Sequence, residues 1–287
     1  MKKIVFAALI VVGSTLSAFA ADLPYKAPVP PPAPPCIWCG WYVGVNGGWI
    51  GNADSQPGSL SALGTDPLEN VFVTQAATYN VSSGGFGGGQ IGYNWQLPGG
   101  PNGPSNWLVG VEADIQGARL LGSSALSFAG DSDNLHTATA SSRLDWFGTL
   151  RGRLGFTTGN ALFYGTGGLA FAGVRNNLLV TEADGGDCVA GVNATICASA
   201  ANAGGSTTRT GYVVGAGIEY LFAPGWSVKF EYQYMDLGTV NQIASATVTD
   251  TTDPTEGTFG SHRVTERFNT VRVGLNYHFG GPVVAKY

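Results

Sequence analysis

The chain has 287 residues and a formal net charge of −5, and only 11% of its residues are charged. Ordinary soluble domains carry about 25% charged residues, so this composition is unusual for a protein that is surrounded by water. The acidic balance argues against binding to nucleic acid through a basic patch, and we expect no nucleic-acid partner.

The first twenty residues predict export from the cytoplasm. Lys2 and Lys3 precede an apolar run from Ile4 to Val12, and small residues at 18–20 suit signal peptidase. Residues 1–20 are therefore predicted to be a secretory signal peptide, cleaved after position 20 or 21. No later segment has the long apolar run of a membrane-spanning helix.

Residues 21–40 form a Pro-rich segment that is predicted to lie in the periplasm. The stretch from Leu23 to Pro35 holds seven of the fifteen prolines and should be extended and polyproline-like. Two roles are open for it: contact with peptidoglycan or another periplasmic partner, or service as a linker during translocation and assembly.

Eight segments then show the alternation of β-strands. They are residues 41–50, 86–96, 107–116, 144–156, 161–173, 211–222, 226–237 and 269–279. The connections after the first, third, fifth and seventh segments are long (51–85, 117–143, 174–210 and 238–268), and those between are short and rich in turn residues. Such parity is the signature of a transmembrane β-barrel. We predict an all-β fold, an eight-stranded antiparallel transmembrane β-barrel over residues 41–279, with four long extracellular loops, short periplasmic turns and a tail at 280–287.

Alternation within the segments separates a lipid-facing from a lumen-facing row. In the seventh segment the even-numbered residues from Trp226 to Tyr234 are apolar or aromatic, whereas the odd-numbered residues from Ser227 to Gln233 are polar. The charged residues predicted to face the lumen are Glu112, Asp114, Asp145, Glu219 and Glu231 with Arg151, Arg153, Lys229 and Arg272. Their near balance favours mutual ion pairs that fill the narrow interior, and the alternative is a narrow gated pore lined by the same residues.

Tryptophans cluster near the ends of the predicted strands. Six of the seven lie there, namely Trp41, Trp49, Trp95, Trp107, Trp146 and Trp226, and Phe279 ends the last segment. Amphipathic rings gather at the two water interfaces of a membrane barrel, so these residues are predicted to form two aromatic belts.

Several runs resemble one protein family. They are Gly110–Asp114 (GVEAD), Phe147–Phe156 (FGTLRGRLGF), Phe230–Gly238 (FEYQYMDLG), Val271–Phe279 (VRVGLNYHF) and the Ala-Asp-Leu-Pro start at Ala21. Together they resemble the alphaproteobacterial OmpA-like outer-membrane barrel proteins, the porin-family surface antigens. The resemblance implies an eight-stranded barrel in the outer membrane of a Gram-negative bacterium. It also implies that the aromatic-ended last strand is read by the outer-membrane assembly machinery, and the short tail is too small for a separate peptidoglycan-binding domain.

The four cysteines form two close pairs, which suits an oxidising compartment. Cys188 and Cys197 would join the tip of the third long loop. Cys36 and Cys39 have the spacing of a redox motif, but no βαβ context accompanies them, so a local disulfide at the barrel entrance is the favoured interpretation.

The sequence evidence for catalytic, cofactor or metal sites is weaker. Ser141 or Ser142 with His136 and Asp131 or Asp133 could be written as a triad, but serine is common in these connections. The glycine-rich run 87–92 lies within a predicted strand and no helix follows it, which argues against dinucleotide binding. The acid pairs Asp131/Asp133 and Asp250/Asp253 lack the full spacing of a calcium loop. We predict no catalytic residue, no cofactor and no metal.

The sequence as a whole predicts an integral outer-membrane protein that maintains the envelope and presents a surface to the environment or a host. Outer-membrane lipid and lipopolysaccharide are its expected partners. The first alternative is a small porin for ions or small solutes, and the second is an outer-membrane lipid-modifying hydrolase.

Overall fold

The computed structural model describes residues 36–66, 71–97, 105–129, 135–183, 198–248 and 256–279. Its strands are β1 (Gly40–Asn52), β2 (Gly58–Asp66), β3 (Val71–Tyr79), β4 (Gly84–Gln96), β5 (Trp107–Ala129), β6 (Leu135–Thr158), β7 (Ala161–Ala183), β8 (Ala198–Ala223), β9 (Trp226–Val248) and β10 (Glu256–His278). No helix long and apolar enough to span a membrane occurs among these described residues.

All ten strands belong to one antiparallel sheet in the order β1-β4-β5-β6-β7-β8-β9-β10-β2-β3, and β1 also pairs with β10. Strand β10 divides its edge between two partners, with Phe268–His278 on β1 and Gly257–Val264 on β2. The ring β1, β4 to β10 therefore closes with eight strands, as predicted. The total of ten differs because the predicted first loop contains the β2–β3 hairpin.

The other three predicted long loops are largely β-strand. For example, β6 and β7 stay paired from Thr158↔Ala161 to Leu135↔Ala183, far beyond the predicted limits of 144 and 173. The hairpin fills the gap in the wall above the shorter β1 and β4, and beside it the Ser82 amide donates to the Leu121 carbonyl at 2.7 Å. The four long connections are therefore present, but over most of their described residues they are paired β-strand instead of irregular chain.

The side-chain pattern inverts between the two halves of the wall. In the half nearer the short turns, β6 points Arg151 and Arg153 inward while Leu150 and Leu154 are exposed. In the other half of β6, Ala138, Ala140 and Leu144 point inward, whereas Thr137 and Thr139 point outward. Apolar side chains leave whichever surface faces water, so the inversion marks where the outer surroundings change from lipid to water.

β-Bulges accompany this inversion. The register shifts between Gly117 and Leu120 on β5, between Leu144 and Trp146 on β6, and between Thr265 and Arg267 on β10. On β6 the inward positions change from odd numbers, such as Arg151, to even numbers, such as Leu144, whereas β5 and β10 keep even-numbered residues inward on both sides of their register shifts.

Candidate functional site

Eight charged side chains fill the lumen of the membrane-embedded half. They are Glu112 and Asp114 on β5, Arg151 and Arg153 on β6, Glu219 on β8, Lys229 and Glu231 on β9, and Arg272 on β10. All eight side chains are fully enclosed. Four acids meet four bases, so the cluster, here called the lumen network, has no net formal charge.

The lumen network crosses the barrel from wall to wall. Arg151 on β6 bonds Asp114 at 2.8 Å and contacts Glu112 and Glu231 as well. From the far wall, Lys229 reaches Glu112 at 2.8 Å and Arg272 reaches Asp114 at 3.1 Å. Each ion is paired with groups from other strands, which is the condition for burying charge at tolerable cost.

Two tyrosine side chains complete the closure of the lumen. The Tyr42 hydroxyl donates to Glu112 at 2.6 Å and accepts from Arg153 at 2.6 Å. Tyr164 donates to Glu231 at 2.7 Å, and the Arg153 guanidinium lies 4.0 Å from the centroid of the Tyr164 ring. These bonds cross the space that a water path would need.

Asp145 does not join the lumen network, and its predicted inward direction is wrong. It lies at the bulge of β6 and pairs on the outer wall with Arg143 and with Arg175 of β7. The prediction carried the alternation of Arg151 and Arg153 upward without interruption, whereas the bulge reverses it.

Above the lumen network the barrel contains an apolar core with two buried histidine sites. His262 bonds the Tyr79 hydroxyl at 2.6 Å and the Gln242 amide oxygen at 3.0 Å. His136 bonds Thr258 at 2.7 Å and lies 3.4 Å from Glu182. Burial lowers the pKa of both histidines.

The predicted aromatic belts face outward. Trp41, Trp49, Trp95, Trp107, Trp226 and Phe279 are each between 41% and 61% exposed. The ring of Trp146 lies against the barrel wall over Gly173. A Cβ atom added to Gly173 would lie 2.1 Å from the indole nitrogen of Trp146. Trp146 and Phe156 stand ten positions apart on β6. At about 3.3 Å per residue and a usual tilt of about 40°, they bracket about 25 Å, the usual apolar band of such barrels.

A plug that the sequence analysis missed closes the barrel mouth at the short-turn end. Cys36 and Cys39 form the predicted disulfide, and Trp38 between them is 2% exposed. Its indole donates to the Gly159 carbonyl at 3.3 Å, and its ring meets His278 edge-on. The signal was available as the one tryptophan outside a strand. The Cys188–Cys197 prediction and the Pro-rich stretch 21–35 lie outside the described residues.

Geometry argues against the enzymatic candidates. His136 contacts Thr258 and Glu182 instead of Ser141 or Ser142, while Asp131 and Asp133 fall outside the described residues.

Ser227 is a serine that does lie beside a histidine. Its Oγ atom is 3.0 Å from Nε2 of His278. Ser227 donates its proton to Glu219, which contacts the same histidine nitrogen, and all three are buried. A catalytic triad needs serine and carboxylate on opposite nitrogens and needs access for substrate, so this group is structural.

The glycine-rich run makes room for the lumen network. A Cβ on Gly92 would lie 2.3 Å from the Tyr42 hydroxyl, and one on Gly88 would lie 2.0 Å from a β5 carbonyl. The run is part of β4, so it presents no helix to a phosphate group. Within the described part of the chain, no group of three or more potential ligand side chains could hold a metal ion.

Comparison with known proteins agrees with this architecture. Residues 6–279 match the family model of the outer membrane protein beta-barrel domain. The chain is 34% identical over 284 residues to the 31 kDa outer-membrane immunogenic protein of Brucella melitensis, covering 97% of this chain and 100% of the relative.

A 22 kDa outer membrane protein of Rhizobium leguminosarum is 28% identical over 178 residues, 58% of this chain and 64% of the relative. Among solved structures, OprG of Pseudomonas aeruginosa aligns with a TM-score of 0.37 at 11% identity, over 84% of this chain and 97% of OprG. The matches to the family model and to the Brucella protein span nearly the whole chain. The chain therefore belongs to the outer membrane protein beta-barrel family and is a protein of the bacterial outer membrane.

Proposed function

We propose that this protein is a non-conducting barrel that stabilises the outer membrane and holds a rigid β-wall above it for contact with the environment or a host. The observation that carries the proposal is the filled interior. The lumen network occupies the membrane half, and an apolar core occupies the extracellular half. An eight-stranded barrel is narrow enough for side chains to fill it completely.

The contents of the lumen also argue against a selective pore. A filter usually presents rings of one charge to a water-filled path. Here four acids and four bases neutralise one another, and none of the eight side chains is accessible. Opening a path would separate buried ion pairs, at about 3 to 5 kcal/mol for each unpaired charge.

Conductance of the refolded protein in a planar bilayer tests the proposal. We expect a folded barrel, recognised by its different gel mobility with and without boiling, to leave the bilayer silent. Glu231→Ala serves as a comparison, because it removes one carboxylate of the lumen network. We expect this variant to show at most brief conductance events of small amplitude. Steady channels in the unaltered protein, with a selectivity that changes on substitution of Arg151, would establish the small-porin alternative instead.

Two further partners belong to this proposal. The last strand, which ends in Tyr277, His278 and Phe279, would be recognised by the assembly machinery of the outer membrane. Replacing Phe279 with Ser should then slow assembly into the membrane, as followed by the rate at which the gel-shifted form appears in cells. Contact between the Pro-rich segment and peptidoglycan would be lost on deletion of residues 23–35, as measured by sedimentation with purified peptidoglycan.

A further inference from the structure

A basic pocket lies on the outer wall of β5, β6 and β7, immediately above the membrane half. Arg143 and Arg175 stand directly opposite each other in the ladder, and both point away from the lumen. Arg119, at the bulge of β5, is a third exposed arginine on the same side of the wall. The pocket has a volume of about 630 Å³, and Ser123, Ser141 and Asn177 contribute hydroxyl and amide groups to its lining.

The charge in this pocket is not balanced. Asp145 meets the Nε atoms of both Arg143 and Arg175, the latter at 3.2 Å. No other acid in the described ranges pairs with either arginine, so two guanidinium groups share one carboxylate. By contrast, Arg267 on β10 has two acids, Asp236 at 2.9 Å and Asp54 at 3.8 Å.

The fold does not explain this arrangement. Like charges placed directly opposite on one face of a sheet destabilise the pair. The bulge of β6 brings Asp145 to the outer face, where it holds the two guanidinium groups by their Nε atoms. This leaves the terminal nitrogens of both arginines without a protein partner among the described residues. Bulges commonly re-aim side chains at functional places.

The position of the two arginines relative to the outer aromatic belt indicates the kind of ligand. Trp146 follows Arg143 by three positions on β6, and it packs over Gly173, two positions from Arg175 on β7. At about 3.3 Å per residue, the arginines therefore lie about 7 to 10 Å along the strands beyond the outer aromatic belt. That is the layer of lipid headgroups, and planar guanidinium groups bind phosphate with paired hydrogen bonds.

We propose that the pocket of Arg143 and Arg175 binds a phosphate group on the headgroup of an outer-leaflet glycolipid. The two guanidinium groups hold the phosphate oxygens, and the hydroxyl and amide groups of the lining contact the attached sugar. Such a contact fixes the depth and rotation of the barrel in the outer leaflet. The inference depends on the orientation of the barrel and not on a closed lumen, so a conducting barrel would leave it standing.

Binding of purified lipid to the refolded full-length mature protein in zwitterionic detergent tests the proposal, with native mass spectrometry as the readout. The probes are diphosphorylated lipid A, the same lipid after removal of its phosphates, and inorganic phosphate. We expect the phosphorylated lipid to bind about tenfold more tightly than the dephosphorylated one, a difference that corresponds to about 1.4 kcal/mol.

Variants then locate the site. Arg175→Gln should lower the affinity for the phosphorylated lipid by about fivefold to tenfold, and Arg175→Lys should recover only part of it because an ammonium group lacks the fork geometry. Arg263→Gln is the matched control, since Arg263 is an exposed arginine of the upper wall on β10. Equal binding of the two lipids, or an equal loss in the control, would overturn the proposal. Displacement of the lipid by millimolar inorganic phosphate would overturn the lipid assignment in favour of a free anion.

Discussion

Removing Arg151 should reveal how strongly the lumen network supports the barrel. Its guanidinium contacts Glu112, Asp114 and Glu231, and all four side chains are fully enclosed. Arg151→Met keeps an unbranched apolar stem but removes the guanidinium group, which leaves four buried acids against three bases. Breaking a buried pair by removing one partner costs about 3 to 5 kcal/mol, so we expect the free energy of unfolding to fall by that amount.

The assay is reversible guanidinium unfolding in lipid vesicles, followed by tryptophan fluorescence. Arg263→Gln, an exposed arginine, should change stability by less than about 0.5 kcal/mol. The double variant Arg151→Met/Glu231→Gln restores charge balance and should recover about 1 to 3 kcal/mol relative to additivity. If Arg151→Met changed stability by less than 1 kcal/mol, or the second substitution recovered nothing, buried ion pairing would not be what supports the lumen.

Three other predictions test separate parts of the structure. Because burial lowers the pKa of His262 below its usual value of about 6.5, the unfolded chain takes up a proton that the folded chain excludes. Stability should therefore fall as pH falls through about 6.5, and His262→Gln should weaken that dependence in unfolding titrations between pH 8 and 5. Gly92→Ala would press on the Tyr42 hydroxyl and should cost about 1 to 3 kcal/mol, whereas Gly165→Ala, with its nearest neighbour at 3.9 Å, should cost far less in the same assay. Trp38→Ala should cost about 3 to 5 kcal/mol without producing bilayer channels, because the lumen network still closes the barrel; channels in this variant would show that the plug alone seals it.

The membrane half was predictable because its rule is simple. Lipid outside and a crowded polar lumen inside force strict alternation, so eight of the nine predicted lumen charges lie where the sequence places them. The predicted inward direction of Asp145 was wrong because a bulge is a local insertion of one residue, and nothing in the sequence pattern around Arg143 reveals that bulge. Its misplacement also hid the basic pocket, which exists because Asp145 faces outward.

The extracellular half was missed for a different reason. There water surrounds the wall, and small residues such as Ala138 and Ala140 form much of the inward row. Ala, Ser, Thr and Gly differ little in hydropathy, so the inward and outward rows are hard to distinguish in the sequence. The segments were therefore predicted to be loops. The β2–β3 hairpin was not predicted from the sequence for the same reason. The structure identifies it through the pairing of β2 with β10.

The central claim is that one continuous β-wall passes through the membrane and rises above it with its inner face closed. Hydrogen–deuterium exchange of the protein in lipid nanodiscs tests this directly, on the amides of residues 135–144 and 174–183. The structure predicts protection comparable to that of the membrane half, because these amides are paired in the ladder. Complete exchange of these segments within seconds would show that they are loops, and it would contradict both the rigid wall and the closed extracellular core.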